Sequence, residues 1–117
     1  MTTRENLQGQ IEISPTAIAT LVFHAVTQTY GVVGMSTPSL ASGIAATLTR
    51  DPHRGVQVQF HEDNIDIDLY VILEYGIRIA SVATSLINVV RYTIENHCDM
   101  PVHSVKIHVQ GIRVSQS

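Results

Sequence analysis

The residues of this chain that could do chemistry are its histidines and a few carboxylates. Six histidines stand at His24, His53, His61, His97, His103 and His108. Imidazole is a common metal ligand and a common base. No two of these histidines have the i, i+4 spacing of a helical zinc site, and no Cys–His set has structural zinc spacing. Asp66 and Asp68 lie two residues apart in an alternating stretch, so they share one face of a strand. Paired carboxylates do acid–base work when a pocket separates their pKa values. On an open sheet face they are solvated charges that oppose edge aggregation. His108 can meet Asp66 or Asp68 across that face, as a surface pair worth about 0–1 kcal/mol. Cys98 adjoins His97, but neighbouring helical residues point in different directions, so the two do not face each other. Cys98 therefore reads as structural. The sequence has no glycine-rich phosphate loop, Walker lysine or nucleophile elbow. The expectation is a protein with no catalytic residues, no metal and no cofactor.

The element that positions the two aspartates is Gly55 to Gly76. Val56, Val58 and Phe60 alternate with Gln57 and Gln59. Ile65, Ile67, Leu69, Val71, Leu73 and Tyr75 alternate with Asp66, Asp68, Tyr70, Ile72 and Glu74. A period of two gives each strand one apolar face and one more polar face. His61-Glu62-Asp63-Asn64 supplies turn chemistry between them. Tyr70 and Ile72 interrupt the polar face, either as two scattered surface apolar residues or as an apolar anchor, inside a charged rim, that a partner or a second copy of the chain covers.

The rest of the chain reads as elements laid against this hairpin. Residues 1–8 are polar and are expected to fray as a flexible N-terminus. Gly9 to Ile13 is a short strand. Ser14-Pro15 starts a helix, serine as N-cap and proline at the first helical position. Its stripe is Ile18, Leu21, Val22, Ala25 and Thr29. Gly31 ends it, followed by a buried Val32-Val33-Gly34-Met35 connector. Residues 36–54 are too long for a bare loop, and a short helix or mobile segment is expected over Ser39 to Thr49. Asp51-Pro52-His53-Arg54-Gly55 closes that segment as breakers. A long amphipathic helix runs from about Arg78 to His97 or Cys98, with Ile79, Val82, Ala83, Leu86, Val90, Thr93, Ile94 and His97 on its stripe. The last strand holds Val105, Ile107 and Val109 inward and Lys106, His108 and Gln110 outward. Beyond Gly111 the parity switches to Ile112 and Val114, which marks a β-bulge at Gln110-Gly111.

The order β-α-(short α)-β-β-α-β gives an α+β two-layer sandwich. One mainly antiparallel sheet carries the helices on one face. The topology is ferredoxin-like in its simplest form, with a KH-like three-stranded arrangement as the alternative. Residues 9–114 form a single domain. A chain of 117 residues buries enough surface for a core of its own. A net charge of −3 argues against nucleic acid, which needs a cationic footprint. One cysteine and no opening signal peptide point to a reducing, cytoplasmic setting. No apolar run is long enough to span a membrane.

Four stretches in order, GQIEIS-P-x-A-I, YGVVGM, GVQVQF…IDIDLYVILEYG and VHSVKIHVQGIRV, resemble the alkaline shock protein family, the small envelope stress response family of Gram-positive bacteria. The resemblance covers about Gly9 to Val114. It implies a small cytoplasmic α+β domain without established enzymatic activity, tied to cell-envelope homeostasis. It also implies self-association and, for some members, a place at the membrane through an anchoring protein partner. The family offers no catalytic residues to carry over.

The sequence thus points to a non-enzymatic interaction or scaffold module and a homo-oligomer. Its working face would hold Asp66, Asp68, Tyr70, Ile72, Lys106 and His108. Two rival readings remain. One is an RNA-binding module, from Gly31-x-x-Gly34 and the element order, although the residues between the glycines are valines. The other is a small-molecule, lipid-related binder using a pocket between residues 36–54 and the helices.

Overall fold

The computed structural model describes residues 2–6, 9–38 and 48–114. Ile65–Glu74 (β6) is the axis of the sheet. Val102–Arg113 (β7) runs parallel to it along its whole length. The other edge of β6 is shared by two strands placed end to end. Val56–Phe60 (β5) pairs antiparallel with Ile65–Leu69, and Val32–Ser36 (β3) pairs antiparallel with Val71–Leu73. Leu48–Thr49 (β4) extends the sheet beyond β3. The result is one open, mainly antiparallel sheet; its single parallel pair is joined by the helix that a parallel crossover requires.

Two long helices build the second layer. Pro15–Thr27 (α1) starts where Ser14 Oγ accepts the Ala17 N–H at 3.1 Å. Ile79–His97 (α3) is the crossover between β6 and β7. Ile18, Val22 and Val26 of α1 meet Val82, Leu86, Val90 and Ile94 of α3 over Ile65, Ile67, Leu69, Val71 and Leu73. The buried stripes are narrower than the sequence implies, because Leu21, Ile79 and His97 are exposed.

Several elements differ from expectation. The strand at Gly9–Ile13 (β2) exists, but it does not join the main sheet. It pairs antiparallel with Thr2–Asn6 (β1), in the segment expected to fray. Backbone pairing needs no apolar side chains, so a polar stretch gave no warning of it. The place that a ferredoxin-like order gives the first strand is not taken by β2. Instead β3, read from sequence as a connector, lies beside β6. Gly31-x-x-Gly34 is therefore not a loop. Gly31 is buried at φ +90 and ends the turn after α1, while Gly34 lies within the strand. The breaker stretch also folds differently. Asp51 Oδ1 accepts the His53 N–H at 3.0 Å and Pro52 takes the first position, so Pro52–Gly55 (α2) is a short helix. The helix expected at Ser39 to Thr49 lies outside the described residues, except for Leu48 and Thr49, which are strand. So does part of the pocket expected between residues 36–54 and the helices.

Candidate functional site: the outward face of the sheet

The face of β6 turned away from the helices carries Asp66, Asp68, Tyr70, Ile72 and Glu74, as the alternation requires. Neighbouring strands supply the remaining groups by register. Gln59 and Ser104 flank Asp66, Gln57 and Lys106 flank Asp68, and His108 sits beside Tyr70. The start of β7 is fixed from the helix layer. Arg91 Nη1 donates to the Val102 carbonyl at 2.5 Å, and the Val102 N–H donates to Glu95 Oε2 at 3.3 Å.

β7 carries two irregularities. Ile65 pairs with Val102 but Asp66 pairs with Ser104, so His103 is an extra residue. Val71 pairs with Val109 but Ile72 pairs with Gly111, so Gln110 is the second. The second is the bulge that the parity switch announces. The first has a chemical consequence, since a bulge re-aims side chains. His103 and Ser104 both reach Asp66. Ser104 Oγ donates to Asp66 Oδ1 at 2.8 Å, and His103 Nδ1 lies 2.9 Å from the same oxygen. His61, from the turn between β5 and β6, places Nε2 2.6 Å from Oδ2. The hydrogen bond from His61, then those from Ser104 and His103, hold the Asp66 carboxyl far below the usual carboxylate range.

The next group on this face is aromatic. His108 Nε2 lies 2.8 Å from Asp68 Oδ1. The His108 ring also stacks on Tyr70, with centroids 4.5 Å apart and planes 9° from parallel. Partial burial, and then the charge of Asp68, push the Tyr70 phenol above its ordinary value. Lys106 is exposed beside them.

The structure brings together five of the six residues expected on this face. Asp66, Asp68, Tyr70, Lys106 and His108 form an accessible strip. Ile72 shares their face but is only 1% exposed. Both of its sheet neighbours are glycines, Gly34 and Gly111, and the Leu48 side chain lies over Gly34. Ile72 is therefore packing and not an accessible anchor. Sequence reasoning missed His61, His103 and Ser104. The signal for His103 and Ser104 is a register that depends on β7 running parallel to β6, whereas His61 reaches Asp66 from the hairpin turn five residues away.

The chemistry open to this face is limited by its own pairing. Asp66 accepts from three side chains, and a carboxylate so stabilised is a poor general base. Ser104 donates to that carboxylate and not to an imidazole, which is the reverse of an activated hydroxyl. Among the described residues, no group of three or more His, Cys, Asp or Glu side chains is arranged to hold a metal ion. Among them, too, no helix is long and apolar enough to cross a membrane.

Comparison with known proteins shows the family. The family model for alkaline shock protein 23, described as having a cell envelope-related function, matches residues 3–114. The uncharacterised protein YloU of Bacillus subtilis is 38% identical over 109 residues, covering 92% of this chain and 91% of that protein. The uncharacterised protein Spy1614 of Streptococcus pyogenes is 32% identical over 117 residues, covering 97% of each. Among solved structures, a variant of the MamM CTD aligns with TM-score 0.50 at 10% identity, over 88% of this chain and 100% of that one. A copper form of the same domain gives TM-score 0.48 over 86% and 85%. At that identity the likeness is one of fold alone.

Proposed function

The chain belongs to the alkaline shock protein 23 family, whose function is cell envelope-related, and on that premise we propose that it is a non-enzymatic interaction module that assembles through the outward sheet face. The observation that supports this reading is the stacked Tyr70–His108 pair, held by Asp68 and rimmed by Lys106. A half-buried aromatic, immobilised before any partner arrives, loses little freedom on binding, and a charged rim sets register. The internally satisfied Asp66 cluster beside it gives the same face a fixed shape rather than a reactive group. The partner is a second copy of this chain, with a membrane-anchoring protein as a further partner of the same strip.

Light scattering across a concentration series tests the proposal. Wild type should associate as concentration rises. Tyr70→Ser and Lys106→Glu should each weaken association roughly ten-fold, the loss of one well-packed anchor or one opposed charge, and both should keep a cooperative melting transition. Assembly of these variants at wild-type concentrations would show that the sheet face is not the interface.

A further inference from the structure

The end of β6 remote from Asp66 gathers exposed apolar side chains. Tyr30 is 82% and Tyr75 is 70% exposed, and Ile79, Ile112 and Val114 are exposed with them. The backbone holds these residues at one end of the molecule. The Glu74 N–H donates to the Gly31 carbonyl at 2.9 Å, and the Tyr75 N–H donates to the Arg113 carbonyl at 2.7 Å. Ile79 opens α3 just past the turn at Gly76, which sits at φ +93. Between Tyr30 and the first turns of α3 lies a cleft of about 500 Å³, lined by Thr29, Tyr30, Ile77, Arg78, Ser81 and Ser85. Single exposed apolar residues are ordinary, but several gathered at one end, with Tyr30 lining a cleft there, mark a contact surface.

Charge decides what it contacts. Arg78 stands at the N-cap of α3, whose first turn contains no acidic residue. Arg113 is the next cation, in register with Glu74, the carboxylate of this end. Glu62, Asp63, Asp66 and Asp68 lie at the opposite end of the strand. Arg78 and Arg113 outnumber Glu74 at this end, so an anionic surface matches it better than a second copy that carries the same excess of positive charge. Tyrosines beside aliphatic side chains, with arginine among them, match a lipid interface: amphipathic rings sit at headgroup level and guanidinium pairs with phosphate.

We propose that this end docks directly on an anionic lipid surface, with Tyr30, Tyr75, Ile79 and Ile112 at the headgroup–acyl boundary and Arg78 on lipid phosphate. The proposal does not rest on the sheet-face reading, because the two surfaces share no residue.

Vesicle flotation of the full chain tests it, using phosphatidylcholine alone and phosphatidylcholine mixed with phosphatidylglycerol. The chain should float with the mixture at low salt, float less with phosphatidylcholine, and release as salt rises. Arg78→Gln should lower partition onto the mixture roughly five-fold, the effect of one cation near an anionic leaflet. Tyr30→Ser combined with Tyr75→Ser should lower it on the order of ten-fold or more through lost apolar contact. Tyr92→Ser, on the exposed side of α3 and outside both surfaces, should leave it unchanged. Inorganic phosphate at millimolar concentration should not compete beyond its ionic strength, which separates a lipid surface from a site for free phosphate. Melting curves confirm that the variants are folded; if the tyrosine pair fails to fold, Arg78→Gln alone decides. The proposal is overturned by no flotation with the mixture at low salt, by flotation indifferent to Arg78→Gln and to the tyrosine pair, or by specific competition from phosphate.

Discussion

The two ends of β6 use one strand in opposite ways. At its start, Asp66 and Asp68 face neighbours that carry imidazole, hydroxyl and amine, and the polar groups bind one another. At its end, Ile72 faces two glycines and is sealed, while Tyr75 and the residues around it stand open. The strand's own alternation is the same at both ends. What differs is the residue that each flanking strand brings opposite. A side chain's role on a sheet face is thus set as much by register as by its own identity.

Substitutions at Ile72 and Tyr70 break that comparison most sharply. They are two residues apart on one face, yet Ile72→Ser should cost about 3 kcal/mol or more in urea denaturation, because it leaves a cavity and buries a hydroxyl. Tyr70→Ser should cost about 1 kcal/mol, the value of a partly exposed stacked pair. Equal losses would mean that the glycine neighbours of Ile72 make no difference to how the face is packed. The next largest effect should come from Gly31→Ala. Its φ of +90 strains any other residue, and a Cβ there would lie 2.9 Å from Val82 Cγ2. A loss of about 2 kcal/mol is expected; a neutral result would show that the turn after α1 relaxes freely.

The smallest effect is a pH dependence at the polar end. The folded pKa of Asp66 is depressed, chiefly by His61. Its contribution to stability is therefore complete above the unfolded carboxylate value of about 3.9 and is lost as pH falls below it. Asp66→Asn should lower stability at neutral pH and flatten the acid limb of the stability curve. An unchanged acid limb would mean that the histidine and serine contacts do not persist in solution.

The parts of this arrangement that were legible in the sequence are those set by local pattern. The alternation of Val56–Phe60 and Ile65–Glu74 gave the hairpin and the shared face of Asp66, Asp68 and Tyr70. Ser14-Pro15 gave the start of α1, and the change of parity past Val109 gave the bulge at Gln110. The unread parts depend on pairings distant in sequence. His103 and Ser104 reach Asp66 across 37 and 38 residues through a bulge with no compositional mark. The burial of Ile72 depends on Gly34 and Gly111, which become its neighbours only when β3 and β7 take their places. β3 itself escaped notice because Val32 and Val33 are both apolar and Gly34 hides any alternation.

If copies of the chain meet at the Tyr70–His108 strip, a thiol placed there will cross-link them. Cys98 is buried and should not compete. Lys106→Cys places a thiol on the strip, and Tyr92→Cys places one on the exposed side of α3. Under mild oxidation, Lys106→Cys should give a covalent dimer and Tyr92→Cys should stay monomeric. Dimer from Tyr92→Cys alone, or monomer from both at concentrations where wild type associates, would contradict it.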